Sequence, residues 1–166
     1  MEKSFKNIVL EILPYVIVIL IAIIVKVYIV SPIRVNGESM DNTLRDGDYM
    51  ILNKISYRFE KIKRFEIVVA KYSDEHIIKR VIGLPGETVE YKDNELFING
   101  KKIKYSYKAG KTENFTKKLK KDEYFLMGDN RENSMDSRVL GPFSKKKIEG
   151  KTHFIVLPFS RFGSVK

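Results

Sequence analysis

At VNGESMDNTL, residues 35–44, the chain changes character. The sequence before this stretch is a long apolar run, and the sequence after it is a series of short segments that alternate with turns. Ser39 lies near the middle of the stretch, between Gly37 and Met40, in a setting typical of a turn. These ten residues leave two interpretations open. Ser39 is either a solvated turn serine or a nucleophile placed where the chain leaves a membrane.

Composition limits the classes of protein to which the chain can belong. Its 166 residues suffice for one domain with an anchor, and the net charge of +10 suits an anionic membrane surface or a nucleic acid. No sequence motif of a nucleic-acid-binding module is present, so we predict no nucleic-acid partner. The absence of cysteine excludes disulfides, thiolate metal sites and a cysteine nucleophile.

The apolar run predicts a transmembrane helix. It is unbroken from Tyr15 to Val25, and from Ile12 to Val30 only Pro14 and Lys26 interrupt it. About 20 apolar residues cross the hydrocarbon layer of a bilayer. The run ends in bulky residues rather than in the small residues of a cleavage site, which favours an uncleaved signal-anchor. We therefore expect residues 1–30 to form a short cytoplasmic N-terminus and a membrane anchor, and residues 31–166 to form an extracytoplasmic domain.

The remainder of the chain predicts a mainly β fold. Short β-branched or aromatic segments recur at 49–52, 67–70, 77–82, 124–127 and 153–157, separated by turn residues. They predict a compact sandwich or barrel of short strands. A small inserted subdomain is expected over about 88–123. Its segment 101–121 has nine lysines and one glutamate, which favours a solvated, mobile loop or, alternatively, a segment attracted to anionic lipid.

The polar residues restrict the possible chemistry. The two histidines, His76 and His153, are far apart and lie outside any motif, which disfavours a metal site and a Ser-His-Asp triad. Lysine is a known alternative base for a serine nucleophile, provided that burial lowers its pKa. Among the many lysines, Lys79 is the one embedded in an apolar strand. It is either such a base or a lysine whose ammonium reaches solvent at a strand edge.

Four stretches together resemble the bacterial type I signal peptidases, the membrane-bound serine proteases that remove signal peptides from exported proteins. These stretches are Gly37–Leu44, Arg64–Val69, Lys79–Glu87 and Gly128–Arg138, and they occur in the family order. The short chain, the single anchor and the small insert are most similar to the enzymes of Gram-positive bacteria.

The resemblance implies a set of site residues. Ser39 would be the nucleophile and Lys79 the general base, and Ser134 would hydrogen-bond the lysine amine. It also implies two structural ion pairs, Asp129 with Arg80 and Asp136 with Arg138. The implied apolar substrate pockets are lined by Val35, Met40 and Ile78. No cofactor and no metal are implied. The implied partners are exported preproteins and the lipid bilayer, with the protein acting as a monomer at the cell membrane.

Two residues depart from the pattern of many relatives. Gly37 replaces a serine whose hydroxyl serves the oxyanion hole, and Asn42 replaces a proline. Two other functions therefore remain open at this point. One is a non-proteolytic relative that binds or chaperones a secreted or pilus subunit, and the other is a basic, membrane-anchored surface-binding protein.

Overall fold

The computed structural model describes residues 5–165, and it begins with a long exposed helix. Helix α1 spans Phe5–Ile24 and continues as a π-helical turn over Val25–Ile29. Ile8–Ile29 is the one helical stretch within residues 5–165 that is long and apolar enough to cross a membrane. Its apolar window is not buried, and its last turn contacts the β domain through hydrogen bonds from Lys54 to the carbonyls of Val27 and Ile29. The first four residues of the predicted 1–30 anchor segment lie outside the described residues.

The chain after the helix is mainly β, as the sequence predicts. Two short helices interrupt it, α2 at Ser56–Phe59 and α3 at Ser137–Leu140. The thirteen strands are β1 Val30–Arg34, β2 Tyr49–Asn53, β3 Ile67–Tyr72, β4 Glu75–Gly83, β5 Thr88–Lys92, β6 Glu95–Ile98, β7 Lys101–Ile103, β8 Phe115–Lys118, β9 Glu123–Met127, β10 Phe143–Ser144, β11 Ile148–Lys151, β12 Phe154–Leu157 and β13 Gly163–Ser164.

The strands form two antiparallel sheets. The larger has the order β10-β9-β4-β3-β11-β2-β12-β13, and β1 pairs with β2 beside this path. The smaller has the order β7-β6-β5-β8 and is built from the segment in which the sequence predicts an inserted subdomain. The main sheet thus connects the strand that leaves the anchor, β1, with the central strand β4.

Strand β4 is the element that positions the site. It lies between β3 and β9, and in the antiparallel pairing with β3 its Lys79 is opposite Val68 and its Arg80 opposite Ile67. Because side chains alternate along a strand, Lys79 and Arg80 project to opposite faces of the sheet. Both are buried, with 4% and 1% of their surface exposed, so each cation requires a specific environment.

The lysine-rich segment differs from the mobile loop that composition favours. It supplies β7 and β8, and its tyrosines pack against the main sheet: the Tyr107 ring centroid lies 5.5 Å from that of Phe65. Tyr105 stacks on Tyr107 at a centroid distance of 4.5 Å. The lysines are largely exposed, whereas Leu119 is buried in a cluster with Val89. The charge composition of the segment did not indicate this packing, because a few aromatic and aliphatic residues among many lysines suffice to fix the segment.

Candidate active site

Ser39 lies in a turn that two buried side chains hold in place. The turn follows β1, and the amides of Thr43 and Leu44 donate hydrogen bonds to the carbonyl of Met40. Met40 and Leu44 are almost completely buried. They fasten the turn to the core, whereas Ser39 remains partly exposed. The lysine amine Nζ of Lys79 lies 2.6 Å from Ser39 Oγ.

The environment of Lys79 favours its neutral form. Burial lowers the pKa of Lys79 to about 8, against a weaker opposing effect of the carboxylates of Asp136 and Asp129. A neutral amine can accept a proton, whereas an ammonium cannot. The strand that carries Lys79 therefore supplies a group that could act as a base near physiological pH.

On the other face of β4, Arg80 forms a fully buried ion pair with Asp129. Arg80 Nη2 lies 2.6 Å from Asp129 Oδ2, and Arg80 Nη1 donates to the carbonyl of Phe65 at 2.8 Å. Thr43 Oγ1 donates to Asp129 Oδ2 at 2.5 Å. The Tyr107 ring covers the guanidinium, with its centroid 4.1 Å from Cζ. Because Thr43 belongs to the Ser39 turn, the ion pair ties that turn to β4 and to the loop after β9.

The loop Gly128–Arg138 is fixed by charged groups that bond to its backbone. Asp136 accepts hydrogen bonds from the amides of Gly128 and Arg138, and its carboxylate pairs with the Arg138 side chain at 2.9 Å. Arg138 Nη2 also donates to the carbonyl of Arg131 at 2.6 Å. The loop reaches Ser39 directly, since the amide of Asn130 donates to the Ser39 carbonyl at 3.1 Å.

The structure does not form the expected bond between Ser134 and the lysine amine. Ser134 and Ser39 both lie against Gly128. A Cβ added to Gly128 would be 2.2 Å from Ser134 Oγ and 2.3 Å from the Ser39 carbonyl oxygen. Ser134 Oγ is nevertheless buried without a hydrogen-bond partner among residues 5–165. Ser134 therefore packs behind Ser39, and it does not hold the Lys79 amine in this structure.

Three residues important to the site were not identified as such from the sequence. Thr43 bridges the ion pair, and Tyr107 covers it. The third, Arg131, is buried, and its guanidinium donates to the carbonyl of Gly128 and to the hydroxyls of Tyr91, Thr112 and Tyr107. Only their position inside or near the recognised motifs could have drawn attention to Thr43 and Arg131. Nothing local to Tyr107 distinguishes it from a loop tyrosine.

Two clefts meet at Ser39. The larger, of about 710 Å³, contains Lys79 and the predicted pocket residues Val35, Met40 and Ile78 in its lining. The smaller, of about 450 Å³, is lined by Asn36, Gly37, Glu38, Ser39, Asp46 and Asn133. An extended chain laid through both clefts would pass directly over the Ser39 hydroxyl.

Among residues 5–165, the Ser39 hydroxyl is bonded to the Lys79 amine and not to a histidine. Residues 5–165 contain no cluster of His, Cys, Asp and Glu side chains that could hold a metal ion. His76 pairs with Glu149 at 2.9 Å, and His153 is exposed. The arrangement that remains is a serine hydroxyl bonded to a lysine amine of lowered pKa, which is suited to acyl transfer.

Comparison with known proteins gives a consistent result. The family model for "Signal peptidase, peptidase S26" matches residues 8–157. A signal peptidase I of Bacillus amyloliquefaciens is 40% identical, with 91% of this chain and 89% of that protein covered. Signal peptidase I V of Bacillus subtilis is 42% identical over 81% of this chain and 90% of its own length.

The comparison with solved structures agrees. The crystal structure of a signal peptidase I from Enterococcus faecalis superposes with a TM-score of 0.51 and 34% sequence identity. The match covers 55% of this chain and 97% of that one.

Proposed function

We propose, on the premise that this chain belongs to the signal peptidase family, peptidase S26, that Ser39 and Lys79 are its nucleophile and general base. The chain is a signal peptidase I enzyme by its similarity to the Bacillus proteins over most of its length. The observation that carries the proposal is the 2.6 Å distance between Lys79 Nζ and Ser39 Oγ in a buried setting. Its substrates would be exported preproteins, cut after the signal peptide.

The proposed reaction has two stages. Neutral Lys79 accepts the hydroxyl proton as Ser39 Oγ bonds to the scissile carbonyl carbon, and the carbonyl electron pair moves to the oxygen. The intermediate then collapses, the C–N bond breaks, and the Lys79 ammonium gives its proton to the leaving amine. In the second stage Lys79 takes a proton from a water molecule, which attacks the acyl-serine carbonyl carbon. The bond from that carbon to Ser39 Oγ then breaks, the Lys79 ammonium returns its proton to Ser39 Oγ, and the signal peptide leaves with a new carboxylate.

We propose that the larger cleft takes small side chains that precede the cut. Val35, Met40 and Ile78 contribute apolar wall to this cleft, and the first two are almost completely buried. A substrate in extended form would pair with strand backbone and place alternate side chains against these walls. We propose that the oxyanion accepts a hydrogen bond from the Ser39 amide, which bonds to no other group of residues 5–165.

We further propose that Ile8–Ile29 spans the cell membrane, with a short cytoplasmic N-terminus and the β domain on the outer face. The chain suits a labelling test because it contains no cysteine. A membrane-impermeant maleimide applied to intact cells should label Lys146→Cys, at an exposed position of the β domain. It should label Ser4→Cys only after the cells are permeabilised. The reverse pattern would contradict the orientation.

Cleavage of a preprotein by the detergent-solubilised full chain tests the catalytic proposal. Ser39→Ala and Lys79→Ala should each abolish cleavage. Two matched variants at exposed positions, Ser160→Ala and Lys71→Ala, should retain it. Cleavage by the Ser39→Ala variant at the wild-type rate would contradict the proposal. Binding of a preprotein without cleavage by the wild-type chain would favour the non-proteolytic alternative.

A further inference from the structure

Asn36 lies beside Ser39 at the junction of the two clefts. Among the described residues, these two alone line both the larger cleft and the smaller cleft. The reacting carbonyl of a bound chain must lie where the two clefts meet, above the Ser39 hydroxyl. Asn36 therefore flanks the point at which negative charge develops on the carbonyl oxygen during attack.

That oxygen requires preorganised donors, and the backbone of the turn supplies few. Two donors are the usual arrangement in acyl-transfer sites, and loss of one costs about 10²–10³ in kcat. The Ser39 amide is uncommitted, but the Gly37 amide donates to Asp46 Oδ1 at 2.8 Å. Gly37 also has no side chain that could donate. A neutral side-chain donor at the junction of the two clefts would complete the pair with the Ser39 amide.

Two asparagine amides of the neighbouring loop are already engaged, and Asn42 of the Ser39 turn lines neither cleft. Asn130 Nδ2 donates to the carbonyl of Glu38 at 3.1 Å, and Asn133 Nδ2 donates to Glu38 Oε2 at 3.2 Å. Asn36 makes no hydrogen bond with any of residues 5–165, and its side chain is exposed to the clefts. Its amide is thus an uncommitted neutral donor, and among the asparagines of residues 5–165 it alone lines both clefts at Ser39.

We propose that the side-chain amide of Asn36 is the second donor of the oxyanion hole, acting together with the Ser39 amide. The inference rests on the proposed function, and it assigns Asn36 as a catalytic residue. As Ser39 Oγ bonds to the carbonyl carbon and the C=O electron pair moves to oxygen, Asn36 Nδ2–H donates to that oxygen. The bond is made to the developing oxyanion, so it stabilises the transition state more than the bound substrate.

Kinetics of preprotein cleavage by the full-length chain test this proposal. Asn36→Ala removes the donor and should lower kcat about 10²–10³-fold with little change in KM. Asn36→Asp keeps the shape but replaces the donor by a carboxylate, so its loss should be at least as large. The kcat and KM values are compared on the high-pH plateau of each variant. There Lys79 is neutral in every variant, so a change in its pKa does not alter the measured rates. Asn36→Gln keeps a donor on a longer side chain and should retain more activity than Asn36→Ala.

A transition-state analogue separates this role from ground-state binding. A peptide aldehyde with a small residue before the aldehyde forms a tetrahedral adduct with Ser39. For Asn36→Ala its affinity should fall by the same factor as kcat/KM, while the thermal midpoint stays unchanged. A rise in KM with kcat intact, or unchanged kinetics in Asn36→Ala and Asn36→Asp, would overturn the inference. Wild-type cleavage in the same assay keeps such a result separate from failure of the proposed function.

Discussion

Lys79 Nζ lies 2.6 Å from Ser39 Oγ although 40 positions separate the two residues in the chain. The next residue of the same strand, Arg80, forms the buried ion pair with Asp129 on the opposite face. Strand alternation thus places the Lys79 amine, the proposed base, on one face of β4 and the guanidinium of the buried ion pair on the other. Thr43 connects the two faces, because it belongs to the Ser39 turn and donates to Asp129. A displacement of the ion pair would therefore be transmitted to the nucleophile.

The pH dependence of cleavage should reflect the pKa of Lys79. The proposed base can accept a proton only when Lys79 is neutral, and burial lowers the pKa of Lys79 to about 8. We expect kcat/KM to fall about tenfold per pH unit below that value and to reach a plateau above it. Initial rates of peptide cleavage between pH 6 and pH 10 check this expectation. A rate that rises only above about pH 10 would show that the active lysine is not desolvated.

Replacement of Lys79 by methionine should increase stability while it abolishes cleavage. The folded-state pKa of Lys79 is lowered from 10.5 to about 8, so between those values the unfolded chain binds more protons than the folded one. The wild-type free energy of unfolding therefore rises with pH across that window, and the full destabilisation is present below it. Lys79→Met should gain about 1 to 3 kcal/mol at pH 7.

The control for this measurement is the pH dependence of the gain itself. In urea unfolding of the full chain in detergent, the advantage of Lys79→Met should shrink as the pH approaches 10.5. Lys71→Met, on an exposed residue of the neighbouring strand β3, should give no such pH-dependent gain. An advantage that does not vary with pH would assign the effect to packing rather than to the buried amine.

Gly128 should tolerate no side chain. An alanine Cβ at this position would lie 2.3 Å from the Ser39 carbonyl oxygen, a backbone atom that cannot rotate away, and 2.2 Å from Ser134 Oγ. Gly128→Ala should therefore displace the nucleophile turn and reduce kcat by at least about 10²-fold, as misplaced reacting groups do. Cleavage kinetics measure the loss.

Gly100→Ala provides the matched control for Gly128→Ala. Gly100 has φ +77 in the hairpin turn between β6 and β7, and an added Cβ there meets nothing within 4 Å. The left-handed backbone should cost about 1 kcal/mol of stability, with cleavage unaffected. Equal activity of the two variants would show that the contact between Gly128 and Ser39 is not required.

The sequence predicted the elements that local patterns determine. The strands around Met50, Val68, Val81 and Leu126 alternate or run apolar between turn residues, and the structure contains each of them. The apolar strand neighbours of Lys79 left two alternatives open, a buried base and an ammonium that reaches solvent, and the structure buries the side chain. The short strands β1, β8, β10, β11 and β13 were not predicted, because strands of two to five residues carry little periodicity and depend on their partners.

Side-chain contacts between residues far apart in the chain could not be predicted from the sequence. Nothing near Tyr107 indicates that its ring covers Arg80, 27 positions away by their numbers in the chain. The orientation of Ser134 also could not be predicted, since it depends on the packing of the whole loop against the Ser39 turn. Composition favoured a mobile lysine-rich segment, whereas the tyrosines between its lysines fix it to the main sheet.

Tyr107 should therefore govern both the order of the lysine-rich segment and the stability of the buried ion pair. Tyr107→Leu removes the ring above Arg80 and the stacking on Tyr105, and should cost about 2 kcal/mol or more. Tyr107→Phe keeps both contacts and loses only the hydrogen bond from Arg131, at a cost of about 1 kcal/mol. Urea unfolding gives the two values.

Limited trypsin digestion should reveal the same difference locally. Lys104, Lys108 and Lys111 are exposed, but the backbone around them is held by Tyr105, Tyr107 and the bond from the Gly110 amide to the Asp129 carbonyl. In Tyr107→Leu this backbone should open and be cut at these lysines faster than in the wild type. Tyr107→Phe should be cut at nearly the wild-type rate. Equal digestion of all three proteins would mean that neither the Tyr107 ring nor its contact with Arg80 holds the segment.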